Sequence, residues 1–473
     1  MASIETRGVD RIPESERTST PWTYAAIVIG SNFSLGIVVF GWLAISLGLS
    51  FWSALTSLVV GVTVGMPFIF PLILIGYRTA TNNSTASGAY FGVRGRLIGS
   101  VIGLLVSIAI AAITIWTAAD IVIAALSRFF GITDGTYLRA TIYAIITAAS
   151  AVLVVYGYQL MVRLEKALAV VGIIMIALLV PAFGAHFNVS YAGTGDFGDG
   201  GFWGAWITST VVVGVAGPIF FVTVLGDWSR YISPAKYSVR QFLPIAAISI
   251  WLSQLIPPAF GLLVVTAFSD PAGEFGNSII NDSPLWFAVL LLPFALLGGV
   301  GQSAPSMYSS GLDLDAIAPR ITRAQATAAT SAVTFVLIVV GSFEQSAHDS
   351  ISAISVWVVA IATPWAVITA IGYLRDRGQY DLDALQVFNR GERGGRYWFS
   401  SGWNFTAVIA WFTGSVVGIL ASITSVYTGP IAELFDGLDF SFVLSAAAAA
   451  VVYLALGLFF PTPSFPQASA ISE

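Results

Sequence analysis

The 473-residue chain contains no cysteine, two histidines and two lysines, and charged residues make up only 10% of it. Without cysteine there is no disulfide, no thiol catalysis and no Cys-ligated metal. Neither Lys166 nor Lys236 sits in a G-x-x-x-x-G-K-[ST] loop, so the phosphate cradle of an ATP-driven pump is missing. A membrane-embedded hydrolase needs a cluster of His, Asp or Glu at depth. His186 and His348 both fall in expected outer loops, which argues against that class. The charged fraction lies far below the roughly 25% of an ordinary soluble domain.

What the chain does have is apolar length. It is 56% hydrophobic, with a mean hydropathy of +0.85. In lipid only helices and closed barrels satisfy the backbone, and these apolar runs are unbroken where barrel strands would alternate over about ten residues. The expected fold class is an all-α integral membrane protein of about twelve transmembrane helices. Runs of about 20 residues fall at 22–48, 52–76, 97–126, 137–157, 164–184, 202–225, 242–268, 284–310, 326–343, 350–373, 403–425 and 439–460. With the N-terminal segment inside, 18 of the 20 Lys and Arg lie in inner segments; only Arg128 and Arg139 fall outside. Basic residues collect on the cytoplasmic side, so both termini are expected there, in a multi-pass protein of the plasma (inner) membrane. The first twenty residues are polar, and the run that follows is too long for a signal-peptide core, so the first helix is expected to stay in the membrane.

The Gly-rich, acidic stretch GAHFNVSYAGTGDFGDGG (184–201) separates two groups of five spans. The expected organisation is a cytoplasmic tail at 1–21, a first five-helix repeat at 22–184, an outer loop at 185–201 and a second repeat at 202–373. A cytoplasmic loop at 374–402, two further helices within 403–460 and a tail at 461–473 complete it. Inverted repeats of this kind interrupt the first helix of each half near the bilayer midplane. The first span carries IGSNFSLGIVVFG, and the sixth carries VGVAGPIFF, in which Pro218 removes a backbone donor and Gly217 leaves room beside it. Freed backbone groups at that depth are tolerated only in buried or cavity-lining positions. A structural kink explains one such helix, but interruptions at matching places in both halves point to a site between them.

The sixth span ends in GDWSRYI, which resembles the A-D-Y-S-R-Y-L signature of the nucleobase:cation symporter-1 family, the purine/cytosine permeases. GLSFW (48–52), FGVRG (91–95), VYGYQLMVRLEK (155–166), MYSSGLDL (307–314) and YDLDAL (380–385) extend the resemblance along the chain. It implies a five-plus-five inverted-repeat fold with interrupted helices 1 and 6, alternating access, and symport of a nucleobase or related small heterocycle with H⁺ or Na⁺. By the same resemblance an aromatic six residues before the signature acid stacks on the ligand; counting back from Asp227 gives Phe221, with Phe220 beside it. The family motif N-N-I-P-N-x-Y-S corresponds to QSAPSMYS (302–309), which makes Gln302 and Ser306 ligand candidates. A primary amide presents both a carbonyl and an NH₂ to a heterocycle edge. Counting without gaps from Phe91, the third-span Trp and amide of the family fall on Ile110 and Thr114. A second frame would use Trp116 and Asp120, but Asp120 lies about 36 Å along an ideal helix from Arg96, beyond a core of about 30 Å.

The expected substrate site therefore comprises Ser34, Gly36, Thr114, Gly217, Phe220, Phe221, Gln302 and Ser306. Ser303 and Asp120 are candidates for an ion or coupling site. Asp120 reads as the one acid clearly inside a span, either functional or an outer-mouth residue paired with Arg128. Pro218, Asp227 and Arg230 are expected to shape or gate the sixth helix, the last two at the i, i+3 spacing of a pair. The hydroxyl pair that Na⁺-dependent relatives carry on span eight falls on Gly301 and Gln302, which leaves H⁺ and Na⁺ both open. No cofactor, metal or nucleic-acid partner is expected, and the protein is expected to work as a monomer in the bilayer. The competing reading is an amino-acid or amine permease of the same architecture, although the expected pocket has no carboxylate to match an amine.

Overall fold

In the computed structural model the described residues are 10–460, except 156–157, 198–200, 319, 345–346 and 425–426. The outer parts of both expected tails, residues 1–9 and 461–473, lie outside the described residues. The chain is helical nearly throughout. Two helices, α1 (Pro21–Asn32) and α2 (Leu35–Ser46), form one broken span bent by 56°. They are followed by α3 (Phe51–Thr79), α4 (Leu97–Phe130), α5 (Thr136–Val155) and α6 (Tyr158–Phe183). The second half opens with α7 (Gly201–Ser229) and continues with α8 (Val239–Val265) and the short α9 (Phe275–Asn281). Next come α10 (Leu285–Ile317), α11 (Arg323–Glu344) and α12 (Ala347–Arg375). Last are α13 (Phe405–Leu420) and α14 (Ser441–Phe459), joined through a two-residue hairpin pairing Ile423 with Thr428. Counting α1–α2 as one span and including the shorter α13, twelve apolar helical spans are described.

Small residues let these helices approach closely, as packing without a hydrophobic drive requires. The broken first span crosses α8 where Gly41 lies on the Pro258 carbonyl and Gly261 on that of Val38. The long α3 runs along the whole of α7, with Gly61 against Gly214, Gly65 against Pro218 and Gly76 against Gly226. Helices α4 and α10 are antiparallel neighbours, with Gly103 beside Asp313 and Gly299 beside Ala118. The last two helices sit outside this core, where Gly414 and Gly418 of α13 meet Ala449 and Ser445 of α14 and Pro364 and Ala360 of α12.

Two helices reach further than hydropathy suggested. The fifth span begins at Tyr158 rather than 164, and the eighth continues to Ile317 rather than 310. Glu165, at the inner edge of the expected fifth span, and Asp313, just past the expected end of the eighth, are buried within the bundle at 0% and 2% exposure. Asp120 is therefore not the sole acid inside a span, and it is the least buried of the three.

The Gly41 contact makes a test of the core. A Cβ there would run into the Pro258 carbonyl and come within 2.5 Å of the Leu262 amide nitrogen. Gly41→Leu is expected to destabilise the protein by about 1–3 kcal/mol. That loss reads as a lower melting temperature in detergent, whereas Gly457→Ala, at a position with nothing within 4 Å of its Cβ, should leave it unchanged.

Candidate functional site

The break in the first span has a local cause. Ser34 takes an extended conformation (φ −132°, ψ 160°) and starts α2, its carbonyl receiving the N–H groups of Ile37 and Val38 at 3.1 Å. Before it, Phe33 N–H closes α1 on Ile29 O at 2.8 Å, and the Asn32 amide donates to Val28 O at 2.7 Å. The turn thus satisfies itself, and the Ser34 hydroxyl and the Asn32 side-chain oxygen Oδ1 remain available to other helices.

The sixth span is rewound rather than split. Pro218 has no N–H for the carbonyl four residues earlier, and its ring crowds that carbonyl. The chain widens to a π-helix over Thr210–Val215, returns to α over Ala216–Phe220, and tightens into turns at 221–224 before Leu225–Ser229. The turn is held by Phe221 N–H to Pro218 O at 3.1 Å and Val222 N–H to Ile219 O at 3.2 Å. The freed Val222 carbonyl accepts from Asn83 Nδ2 at 2.8 Å.

Two buried amides face these two irregular segments. Gln302 of α10 accepts from Ser34 Oγ at 2.9 Å and lies over Gly36, where a Cβ would stand 2.8 Å from its Oε1. Gln254 of α8 donates to Asn32 Oδ1 at 3.2 Å and lies over Gly217, where a Cβ would stand 2.5 Å from its Oε1. Between them is a cavity walled by Gly36, Ile37, Phe40, Ile110, Ile113, Thr114, Val213, Gly217, Phe220, Phe221, Gln254, Pro258 and Gln302. Its free volume is about 30 Å³, room for one or two waters, so the walls have closed on it in this conformation. A second cavity of about 20 Å³ adjoins it and is lined by Ser31, Ser107, Ile110, Phe221, Val224, Trp228, Gln302, Pro305, Ser306 and Ser309. Ile110, Phe221 and Gln302 belong to both.

The structure places the sequence candidates unevenly. Gly36, Thr114, Gly217, Phe220, Phe221 and Gln302 line the first cavity, Ser306 lines the second, and Ser34 holds Gln302. Pro218 stands beside the first cavity and packs on Gly65. Ser303 is turned away: its hydroxyl lies 2.6 Å from Ser150 Oγ on α5 and 2.6 Å from Gly299 O. Trp116 and Asp120 line a separate cavity of about 630 Å³ near α9, together with Arg139 and Glu274. There Asp120 pairs with Arg139 at 3.1 Å, not with Arg128, whose guanidinium reaches the Ser283 carbonyl at 3.0 Å and that of Ile280. Arg139 is preferred because it also grips Asp134 at 2.5 Å, which fixes it over the mouth. Gln254 escaped the sequence reading; the signal was a lone amide in the apolar run IWLSQLIPPAF.

At the end that carries most basic residues, the signature segment is latched. Arg230 donates from Nη2 to Tyr308 OH of α10 at 2.9 Å, and its carbonyl accepts from Arg17 Nε at 3.1 Å. Arg17 also reaches the carbonyls of Tyr77 and Ile232, and Ser19 N–H bonds Tyr231 O at 3.0 Å. Asp227 and Arg230 are both buried.

A broken first span, a rewound sixth and a closed pocket between them define a membrane transporter of the inverted-repeat kind. Residues 11–445 match the family described as permease for cytosine/purines, uracil, thiamine, allantoin. The chain belongs to that family, within the nucleobase:cation symporter-1 group, and is a transporter rather than an enzyme. The putative purine-cytosine permease YxlA of Bacillus subtilis (strain 168) is 21% identical, with 96% of each chain covered. Among solved structures, the nucleobase-cation-symport-1 transporter Mhp1, closed with bromovinylhydantoin bound, superposes with a TM-score of 0.72 at 19% identity, over 99% of this chain and 98% of that one. A Na⁺-coupled sialic acid symporter in a substrate-bound outward-open state gives 0.61 at 13% identity, over 96% and 93%. At these identities the structures speak for the shared fold.

The Ser34–Gln302 bond offers a direct check on how the pocket is held. Ser34→Ala should lower stability by about 0.5–1.5 kcal/mol, the usual net worth of such a bond, and by about 1–3 kcal/mol where the amide carbonyl is left dry. Thermal unfolding in detergent reads the difference, and an unchanged melting temperature would show that water replaces the hydroxyl.

Proposed function

We propose that this permease is a secondary active symporter that imports an uncharged nucleobase or related small heterocycle with a cation, H⁺ or Na⁺, by alternating access. The observation that supports the reading is the chemistry of the pocket wall. None of its described lining residues is charged, so nothing there compensates an amine or a carboxylate. It offers instead the rings of Phe220 and Phe221 for the faces of a planar ligand, and two amides with the Thr114 hydroxyl for its edge of donors and acceptors. Gly36 and Gly217 keep those amides close to the ligand space. With about 30 Å³ free, loading requires the walls to part, as alternation of a closed site demands.

The Phe221 ring stands edge-on to Trp228, with centroids 5.7 Å apart and planes at 63°. Trp228 thus braces the ring from the signature segment. We assign Phe221 to stacking and Gln302 to edge recognition, with Gln254 as a second reader of the edge.

Ligand-induced thermal stabilisation of the purified protein is the direct test, because a ligand that binds only the folded state raises its apparent stability. Cytosine, uracil, adenine, hypoxanthine, hydantoin and allantoin form the panel, each with and without Na⁺. At least one should raise the melting temperature, while leucine and putrescine should not. Phe221→Ala and Gln302→Ala are expected to weaken that binding about five- to a hundredfold, from losses of about 0.5–1.5 and 1–3 kcal/mol. Phe221→Trp should retain it, and Trp116→Ala, in the separate cavity, should leave it unchanged. Loss of affinity in Trp116→Ala alone would move the pocket to the Asp120 cavity.

We place both termini in the cytoplasm of a cell whose plasma membrane holds the protein, on the strength of the basic asymmetry. The absence of cysteine makes this simple to check. Single cysteines at the exposed positions Ser15 and Thr194 should label with a membrane-impermeant thiol reagent from opposite sides, and labelling of both from one side would reject the topology.

A further inference from the structure

One buried acid has no place in the pocket or its latch. Glu165 is the eighth residue of α6, 0% exposed, and neither carboxyl oxygen has a hydrogen-bond partner among the described residues. It faces Gly30 of α1, whose missing side chain is what admits it: a Cβ there would stand 2.7 Å from Glu165 Oε2. The same face of α6 carries Leu168 against Gly301 of α10 and Gly172 against the Phe33 carbonyl at the break of the first span. Glu165 therefore sits where the short, bent-off half of a broken span rests on a continuous helix.

Among the described residues no charged group answers it. Arg163 and Lys166 on its own helix are exposed. From α1 comes Tyr24, which is edge-on to Trp228 and Phe242. Tyr308, Asp313 and Asp315 come from α10, Arg240 from α8, Tyr137, Arg139 and Tyr143 from α5, and His186 from the turn after α6. None of these acts on the Glu165 carboxyl. A carboxylate taken out of water without a partner carries a penalty of several kcal/mol, whereas the neutral acid in the same place carries only that of an unmade hydrogen bond. An ionisable side chain at membrane depth marks a function by default.

We propose that Glu165 is the site at which the driving proton binds, held as the neutral acid against Gly30 while α1 rests on α6 and given up when α1 moves away. The step is a proton transfer alone: the carboxyl O–H bond breaks, its electrons stay on the carboxylate, and water admitted between the helices takes the proton. A proton suits this site better than Na⁺, which needs several oxygens around it. The nearby α10 position is Gly301, filled by Leu168, and Ser303 is turned to Ser150. The inference rests on the symport reading above and names its ion.

Two measurements test it. In the first, wild-type protein in liposomes is treated with dicyclohexylcarbodiimide, which attacks protonated carboxyls in apolar surroundings, and the adduct is mapped by mass spectrometry from pH 5.5 to 9.5. Glu165 should be modified, with the rate falling about tenfold per pH unit above its midpoint; no adduct, or a rate flat across the range, overturns the proposal. In the second, an inward pH gradient of one unit is imposed without Na⁺, and labelled cytosine, uracil and hydantoin are followed. Wild type should concentrate its substrate about tenfold for one proton carried, since a pH unit and a tenfold ratio are the same 1.4 kcal/mol. Glu165→Gln should still exchange that substrate at equal concentrations yet hold the ratio at one. Accumulation by Glu165→Gln equal to wild type, or wild-type accumulation that follows only a Na⁺ gradient, overturns the proposal. Wild type that moves no heterocycle overturns the substrate reading instead, and the first measurement, which needs neither variant nor substrate, still decides Glu165.

Discussion

At hydrocarbon depth every backbone N–H and C=O must find a partner inside the protein, and that requirement organises the centre of this molecule. Interrupting a helix there releases groups that water cannot serve. The first span answers by folding its own turn around Ser34 and Asn32, and the sixth by borrowing the Asn83 amide for the Val222 carbonyl. The side chains at this turn are tied to amides on the next layer of helices, the Ser34 hydroxyl to Gln302 and the Asn32 side-chain oxygen to Gln254. Two amides are thereby held in fixed places beside the broken span.

The arrangement has a symmetry of chemistry as well as of fold. Each irregular span contributes a glycine, and each glycine is covered by a glutamine carbonyl from another helix, Gly36 by Gln302 of α10 and Gly217 by Gln254 of α8. Glycine matters at these two positions because the approach is close, at 2.8 and 2.5 Å from a would-be Cβ, and any side chain would push the amide aside. The latch at the basic end works on the other end of the same span: Arg230 is anchored to α10 and to the segment before α1 at once. The end of the sixth span and the chain leading into the first are thereby joined through the Arg17 guanidinium, the Ser19 amide and the carbonyls of Arg230, Tyr231 and Ile232.

Much of the fold was legible because lipid leaves few options: long apolar runs become helices, and basic residues mark one end. Phe221 and Gln302 were placed by the resemblance to the family's signature around Asp227 and to its motif at QSAPSMYS, and both line the same cavity. What escaped detection shares a physical cause. Glu165, flanked by Arg163 and Lys166, reads as the charged edge of a span, because hydropathy records that a residue is polar but not which way it points. Its neighbours turn outward while it turns inward. Gln254 is hidden for the converse reason, a single amide diluted among apolar neighbours. The choice of Arg139 over Arg128 as the partner of Asp120 depends on how α5 packs beside α4, which no local pattern encodes.

Ile110, Phe221 and Gln302 each form a wall of two adjoining small cavities. Space on one side of that partition is gained by moving it into the other. A change of rotamer in any one of the three therefore reshapes both chambers at once.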